Sequence, residues 1–475
     1  MATTCLVLVL TLVMASVAAG AESDIESLRA ELDALRAEYE ARLSELEGRL
    51  DAAEQKVAAA QATAPTTTTE PDTAAITAVA AATTSSSSDT VTSGNAFNPQ
   101  ISLILDGNYY HDGLGGSGSS LIGEAFQPSQ PAHEHEGHEH SALANGFNLR
   151  EAELAFSATV DPYFDAGAYF AFTGDDVEIE EAWFQTRALP HGLKLKGGRF
   201  FSDFGYINRQ HPHQWDFVDQ NLPYLNLLGD HGLQDNGLQL TWLPELPVYT
   251  LVGAELLQGD QERFGSFVVD DEHRDELGLS DRKDGPRLIS TFIKLGPDLG
   301  YDHAMQIGAS YAHNRQHQEE ALAAEGDANL WGLDFIYKYD NPAPWGQRDL
   351  TLQAEYLWTR KDLLVRSGDD AGADVDLTTD GYYLQGVYGL APRWQMGLRY
   401  DVLGATNQIR GATRLDFDQS DRWTVVLTWV PSEFSLFRFQ YASSDILVEP
   451  GEREQFDAFW LQFLLSLGTH GQHRF

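Results

Sequence analysis

Residues 133–140 run His133, Glu134, His135, Glu136, Gly137, His138, Glu139 and His140. Four imidazoles and three carboxylates offer the nitrogen and oxygen donors that Zn²⁺, Ni²⁺ and Cu²⁺ accept. In an extended chain His133 and His135 share one side, and a turn at Gly137 would bring His138 and His140 back to it. Labile zinc capture is one reading. A solvated polar loop with no metal role is another, because His-rich tracts are often only compositional. A defined structural site is a third.

A second constellation lies in 201–234, with Asp203, Tyr206, His211, His213, Trp215, Asp216, Asp219, Asp230 and His231. Proline between His211 and His213 restricts the backbone, so this His pair, beside Trp215 and Asp216, reads as positioned. It could line a constriction as a cation-binding step, or it could simply hydrogen-bond the loop to a wall. Period-two alternation adds Glu151, Glu153, Glu355, Asp401, Arg399 and Arg438 to a wet face. Opposed signs there would set a transverse field, or pair to stiffen the wall.

The charge balance favours cations. The chain has 71 acidic against 31 basic residues and a net charge of −40. Nucleic acid, bound through basic side chains, is not a partner. Residues 259–286 hold nine Asp/Glu against four Lys/Arg. Such a surface attracts cations, or else only keeps a loop soluble. The single cysteine, Cys5, falls in the N-terminal leader, which leaves no disulfide framework and no thiolate site. No GxSxG, P-loop or HExxH occurs, so an enzyme is not expected, and no cofactor is required.

These residues must be held by strands. Tight turns at Asp161-Pro162, Leu189–Gly192, Leu243–Pro247, Gly296-Pro297, Asn341-Pro342, Ala391–Arg393 and Pro431–Glu433 alternate with longer connections. The longer ones are 111–146, 201–234, 259–286, 315–327, 361–375, 405–420 and 446–454, with one short connection at Thr173–Asp176. Short turns on one side and long loops on the other are the mark of a membrane barrel. The pattern predicts an all-β fold, a transmembrane antiparallel β-barrel of about 16 strands over 97–475. Leu352, Ala354, Tyr356 and Trp358 alternate with polar Thr351, Gln353 and Glu355, and Trp394, Met396, Leu398 and Tyr400 with Gln395, Arg399 and Asp401. Trp242, Trp345, Trp394 and Trp429 sit beside tight turns, and Trp331, Trp358 and Trp423 toward the long loops. That predicts two aromatic girdles.

Residues 1–21 read as a signal peptide, with an apolar core from Leu6 to Val17 and Ala19-Gly20-Ala21 before Glu22, although no Lys or Arg precedes that core. Residues 22–57 predict an α-helical coiled coil, with Leu28, Leu32, Leu35, Tyr39, Leu43, Leu46 and Leu50 stepping by three and four. Self-association into a homotrimer is the simplest outcome, a lone solvated helix the alternative. Residues 58–96 are Ala/Thr/Ser-rich and read as a disordered linker. An even strand count puts both barrel termini on the tight-turn side, so tether and coiled coil are expected in the periplasm.

From Phe97-Asn98-Pro99-Gln100 and Gly198-Arg199-Phe200-Phe201-Ser202-Asp203 onward, the chain resembles outer-membrane porins of the phosphate-selective type. The run Gln210-His211-Pro212-His213-Gln214-Trp215-Asp216 is similar to a poorly characterised outer-membrane group with His-rich loops, linked by context to zinc uptake. The resemblance spans about 95–475 and implies a third loop folded into the lumen. Two features depart from it. The acidic balance does not suit a path for phosphate, and Thr469–Arg474, before the terminal Phe475, lacks the usual apolar alternation. The expected protein is an outer-membrane porin for small ions and solutes, biased to cations and aiding zinc uptake, in contact with outer-membrane lipid. A structural anchor whose coiled coil binds peptidoglycan, or an anion or phosphate porin, is the alternative. A TonB-dependent receptor would need a globular plug where 22–96 stand.

Overall fold

The computed structural model describes residues 99–128, 143–173, 176–261, 263–266 and 271–468. Contacts divide the chain into Met1–Thr92 and Ser93–Phe475, and all described residues lie in the second unit. The leader, coiled coil and most of the linker expected at 1–96, and the tract His133–His140, lie outside the described residues.

The strands in chain order are β1 (Gln100–Asp112), β2 (Gly146–Thr159), β3 (Phe164–Thr173), β4 (Asp176–Thr186), β5 (Leu193–Phe201) and β6 (Gln234–Trp242). Then follow β7 (Tyr249–Leu257), β8 (Leu288–Gly296), β9 (His303–Glu319), β10 (Ala324–Tyr339), β11 (Leu350–Val365) and β12 (Asp374–Ala391). The series ends with β13 (Trp394–Arg410), the three-residue β14 (Arg414–Asp416), β15 (Ser420–Ser432), β16 (Ser435–Glu449) and β17 (Glu452–Gly468). Each strand pairs antiparallel with its neighbours. β13 pairs β15 directly, and β1 pairs β17 with Tyr110 opposite Trp460. Sixteen strands thus close into one barrel, and β14 is a small ladder within a loop. Short helices α1 (Gly118–Gly123), α2 (Leu222–Leu228) and α3 (Asp271–Glu276) lie in the long loops. No helix among the described residues is long and apolar enough to cross a membrane.

The wall is apolar outside and polar inside. On β11, Leu352, Tyr356 and Trp358 are exposed outward while Gln353, Glu355 and Thr359 are buried inward. On β17, Phe459, Leu461, Phe463, Leu465 and Leu467 face out, and Gln462 and Ser466 face in. Tryptophans stack across strands at two heights. Trp394 and Trp429 have centroids 5.9 Å apart, and Trp331 and Trp358 4.7 Å.

Four connections are shorter than their sequence suggests, 405–420 among them, since β13 runs on to Arg410. The expected loop 315–327 shrinks to the residues between Glu319 and Ala324, and 446–454 to those between Glu449 and Glu452. The loop at 361–375 begins only after Val365. Backbone pairing needs no apolar side chain, so the ladder runs on past the apolar band. Beyond Trp358 the outward positions of β11 become Arg360 and Asp362, and the strand continues. His317, inside the expected loop 315–327, therefore sits on β9.

Candidate functional site

The loop between β5 and β6, residues 202–233, folds into the barrel and is clamped to the far wall. Glu355 of β11 accepts the Tyr206 N–H at 2.8 Å, the Ile207 N–H at 3.0 Å and the Tyr224 hydroxyl at 2.7 Å. The Tyr383 hydroxyl of β12 also donates to it. A carboxylate is the acceptor that can take several such donors at once. Gly205 permits the approach: its φ is +62°, and a Cβ there would meet the Tyr224 hydroxyl at 2.1 Å.

A second clamp holds Asp219. Arg399 Nη2 lies 2.9 Å from Asp219 Oδ1, and Arg422 Nη1 2.8 Å from Oδ2. Both guanidiniums also reach the buried Asp401, at 3.1 and 2.9 Å. Burial alone would raise the Asp219 carboxyl, but the flanking Arg422 and Arg399 hold it below its ordinary value. Arg438 Nη2 donates to the Trp215 carbonyl at 2.5 Å and Nη1 to Gln462 Oε1 at 3.1 Å. Asp216 accepts from Gln385 at 3.3 Å, and Asp203 from Gln239 at 3.0 Å. Glu355, Arg399, Arg438 and Asp219 are therefore engaged in loop clamps rather than lying open along a path.

The clamped loop carries His211 and His213 to the opposite wall. The residue before a proline is confined to extended backbone, and His211 has φ −65° and ψ 152°. Pro212 then opens a single 3₁₀ turn that brings the two imidazoles to 5.6 Å between centroids. They meet three carboxylates. His211 Nδ1 is 3.0 Å from Glu153 Oε2 and 3.1 Å from Glu180 Oε2, and its Nε2 is 3.4 Å from Glu181 Oε2. His213 Nδ1 is 3.4 Å from Glu153 Oε2. Tyr169 and Phe201 pack on the His211 ring, with centroids 5.0 and 5.1 Å away.

Two β-bulges shape this wall, one of which turns a carboxylate inward. Along β3–β4 the register passes from Tyr169 opposite Glu181 to Phe170 opposite Ile179, so Glu180 is the extra residue. Consecutive Glu180 and Glu181 are consequently both buried inward, which plain alternation forbids. Along β1–β2 the register skips Arg150, between Asp106 opposite Glu151 and Gly107 opposite Leu149. Arg150 thereby reaches the lumen, donating to the Val218 carbonyl at 2.5 Å. Glu181 is further fixed by the Phe201 N–H at 3.1 Å and by Lys196 at 3.6 Å.

Two trios bring metal-ligating atoms together: Glu153, Glu180 and His211, and Glu151, Glu153 and His213. Within each, the atoms lie within 4.8 Å of one another. Zinc bonds of about 2.0–2.1 Å place neighbouring tetrahedral ligands about 3.3 Å apart, close to the separations seen here. A cavity of about 130 Å³ abuts the cluster, lined by Glu151, Glu180, Pro212, Asp230 and His231 among others. His231 Nε2 lies 3.5 Å from Glu178.

The structure thus gathers His211, His213 and Glu153, and keeps Asp203, Asp216, Asp219, Glu355, Arg399 and Arg438 in contacts of their own. Alternation did not single out Glu180, Glu181, Lys196 or Arg422. The one available signal was the density of acids at Glu178, Glu180 and Glu181, because two consecutive carboxylates in a strand imply a bulge or an exposed charge.

No family model matches the chain. An uncharacterized protein of Aquifex aeolicus is 34% identical over 395 residues, covering 81% of each chain. Among solved structures, the anion-selective porin from Comamonas acidovorans aligns with TM-score 0.49 at 10% identity, over 78% of this chain and 99% of that one. The outer-membrane channel DcaP of Acinetobacter baumannii aligns with TM-score 0.48 at 12% identity, over 78% and 96%. OmpT, an outer membrane protein of Vibrio cholerae, aligns with TM-score 0.47 at 10% identity, over 80% and 100%.

Proposed function

The chain belongs to one family with the Aquifex aeolicus protein, and from that premise we propose that it is a porin-like channel of the bacterial outer membrane, biased to cations and aiding divalent metal uptake. The observation that carries this reading is the His211–Glu153–Glu180 cluster, held inside the barrel by an inward loop. The outward Leu, Phe, Tyr and Trp band fits a bilayer, and stacked tryptophans at two heights fit its two interfaces.

The mechanism is attraction followed by exchange. Acidic loops raise the local cation concentration, and His133, His135, His138 and His140 collect zinc loosely. The ion reaches the lumen past Asp230 and His231 and binds the carboxylate–imidazole cluster weakly enough to leave again. A trimer joined by the 22–57 coiled coil, with that coil in the periplasm, completes the reading.

The loop clamps favour one further reading. Arg399, Arg422 and Asp401 bind a segment that crosses the lumen, so the barrel could serve as an anchor. A phosphate path is less well supported, since these guanidiniums are already engaged by carboxylates.

The test is reversal potential in planar bilayers, with and without micromolar Zn²⁺. A cation-selective conductance modulated by zinc is expected. An anion-selective channel indifferent to zinc overturns the reading, and no conductance at all leaves the anchor. Deleting residues 133–140 should slow growth on limiting zinc.

A further inference from the structure

Glu153 belongs to both ligand trios, and no other residue among the described ones does. It is 1% exposed, and its Oε2 is paired with both imidazoles. A buried carboxylate is costly unless positive charge meets it, whether a proton on those rings or a metal ion in its place. That same oxygen is 3.0 Å from His211 Nδ1 and 3.4 Å from His213 Nδ1.

Resting on the cation-channel reading, we infer that Glu153 is a carboxylate shared by two adjoining divalent-cation positions, one completed by His211 and Glu180, the other by His213 and Glu151. Donor chemistry sets the ligand class. Two imidazoles with carboxylates suit Zn²⁺, Co²⁺ or Ni²⁺ rather than Ca²⁺ or Mg²⁺, which take oxygen alone. Neither position has Glu153 to itself, so an ion arriving at one weakens its neighbour's hold. Two adjoining sites that share a ligand in this way hold a pair of ions less tightly than either would alone, and so let one leave, as conduction requires. The cavity touching Glu151 and Glu180 gives the pair an opening toward Asp230 and His231.

The experiment counts ions on the full-length protein in detergent. His133, His135, His138 and His140 are replaced by asparagine, so that the count reports the lumen. Zn²⁺ is measured by equilibrium dialysis, and Co²⁺ absorption reports imidazole ligation. Two ions per chain are expected. Glu180→Gln and Glu151→Gln should each remove one, and the isosteric Glu153→Gln should weaken both by roughly tenfold or more. A single ion, or a Glu153→Gln variant that loses only one, overturns the shared carboxylate. In that event cation-directed reversal potentials would leave the channel reading standing. No lumenal ion together with anion-directed potentials would overturn both. Circular dichroism of each variant establishes that the barrel is folded, and the two single-position variants keep the test decisive if Glu153→Gln is not.

Discussion

Glu181 Oε2 lies 3.4 Å from Nε2 of His211, on the edge of the ring opposite the one that Glu153 and Glu180 reach. A carboxylate so placed keeps the proton on Nε2 and leaves Nδ1 as the donor to a metal. Phe201 N–H and Lys196 hold Glu181 in turn, so the ring is oriented from behind as well as from the front.

Glu181→Gln should therefore weaken metal at the His211 position about 10–100-fold while leaving the His213 position unchanged. Co²⁺ titration followed by absorption distinguishes the two. Equal weakening at both positions would argue for a general loss of negative charge instead.

Zinc response should depend on pH, and in a definite direction. His211 lies on the inward loop, outside the barrel strands. Burial disfavours its charge, yet Glu153 and Glu180 outweigh that and hold its pKa well above the ordinary value. The other groups facing it are Glu151 on β2, Glu181 on β4, Lys196 of β5 behind Glu181, and His213. A raised folded-state pKa means that the imidazolium's stabilisation is complete below about 6.5 and is lost as pH rises through the raised value. Metal competes with that proton. Zinc modulation of conductance is thus expected to strengthen as pH rises and fade in acid. A response flat across pH would mean that zinc acts elsewhere.

The loop clamp has a separate signature. In Asp219→Asn, Arg399 and Arg422 lose one carboxylate and keep only Asp401 between them. Leaving a buried guanidinium under-compensated costs about 3 kcal/mol, toward the low end here because Asp219 is partly accessible. The expected result is a lower urea midpoint together with larger and noisier single-channel conductance. A stability loss without a conductance change would place the clamp away from the ion path.

These predictions rest unevenly on what the sequence makes legible. The barrel was readable because proline-bearing turns and outward aromatics are local signals: Asp161-Pro162 and Ala391–Arg393 end strands where chemistry demands it. His211 and His213 stood out because Pro212 separates them. Glu151 and Glu153 were readable from alternation, but Glu180 and Arg150 were not, because they reach the lumen only through bulges, and a bulge depends on the pairing of two strands rather than on either strand's pattern. Arg422 was hidden for a related reason. Its importance lies in Asp219, a residue 203 positions earlier in the chain by subtraction of their numbers, brought across the lumen by loop folding.

Charge and coordination can be separated in the same cluster. Glu153→Gln combined with Glu180→Gln removes two carboxylates but keeps both imidazoles. If the cluster's field sets selectivity, the reversal potential should move toward anions, and the move should shrink in concentrated salt, because the screening length falls from about 10 Å at 0.1 M to about 3 Å at 1 M. If coordination alone matters, monovalent selectivity should stay fixed while zinc modulation disappears. The buried placement of Glu153 and Glu180 argues for the first outcome with only partial salt sensitivity, since groups enclosed by protein are screened less than surface charges. Reversal potentials for K⁺ against Cl⁻ in the double variant, at both salt concentrations, separate the two.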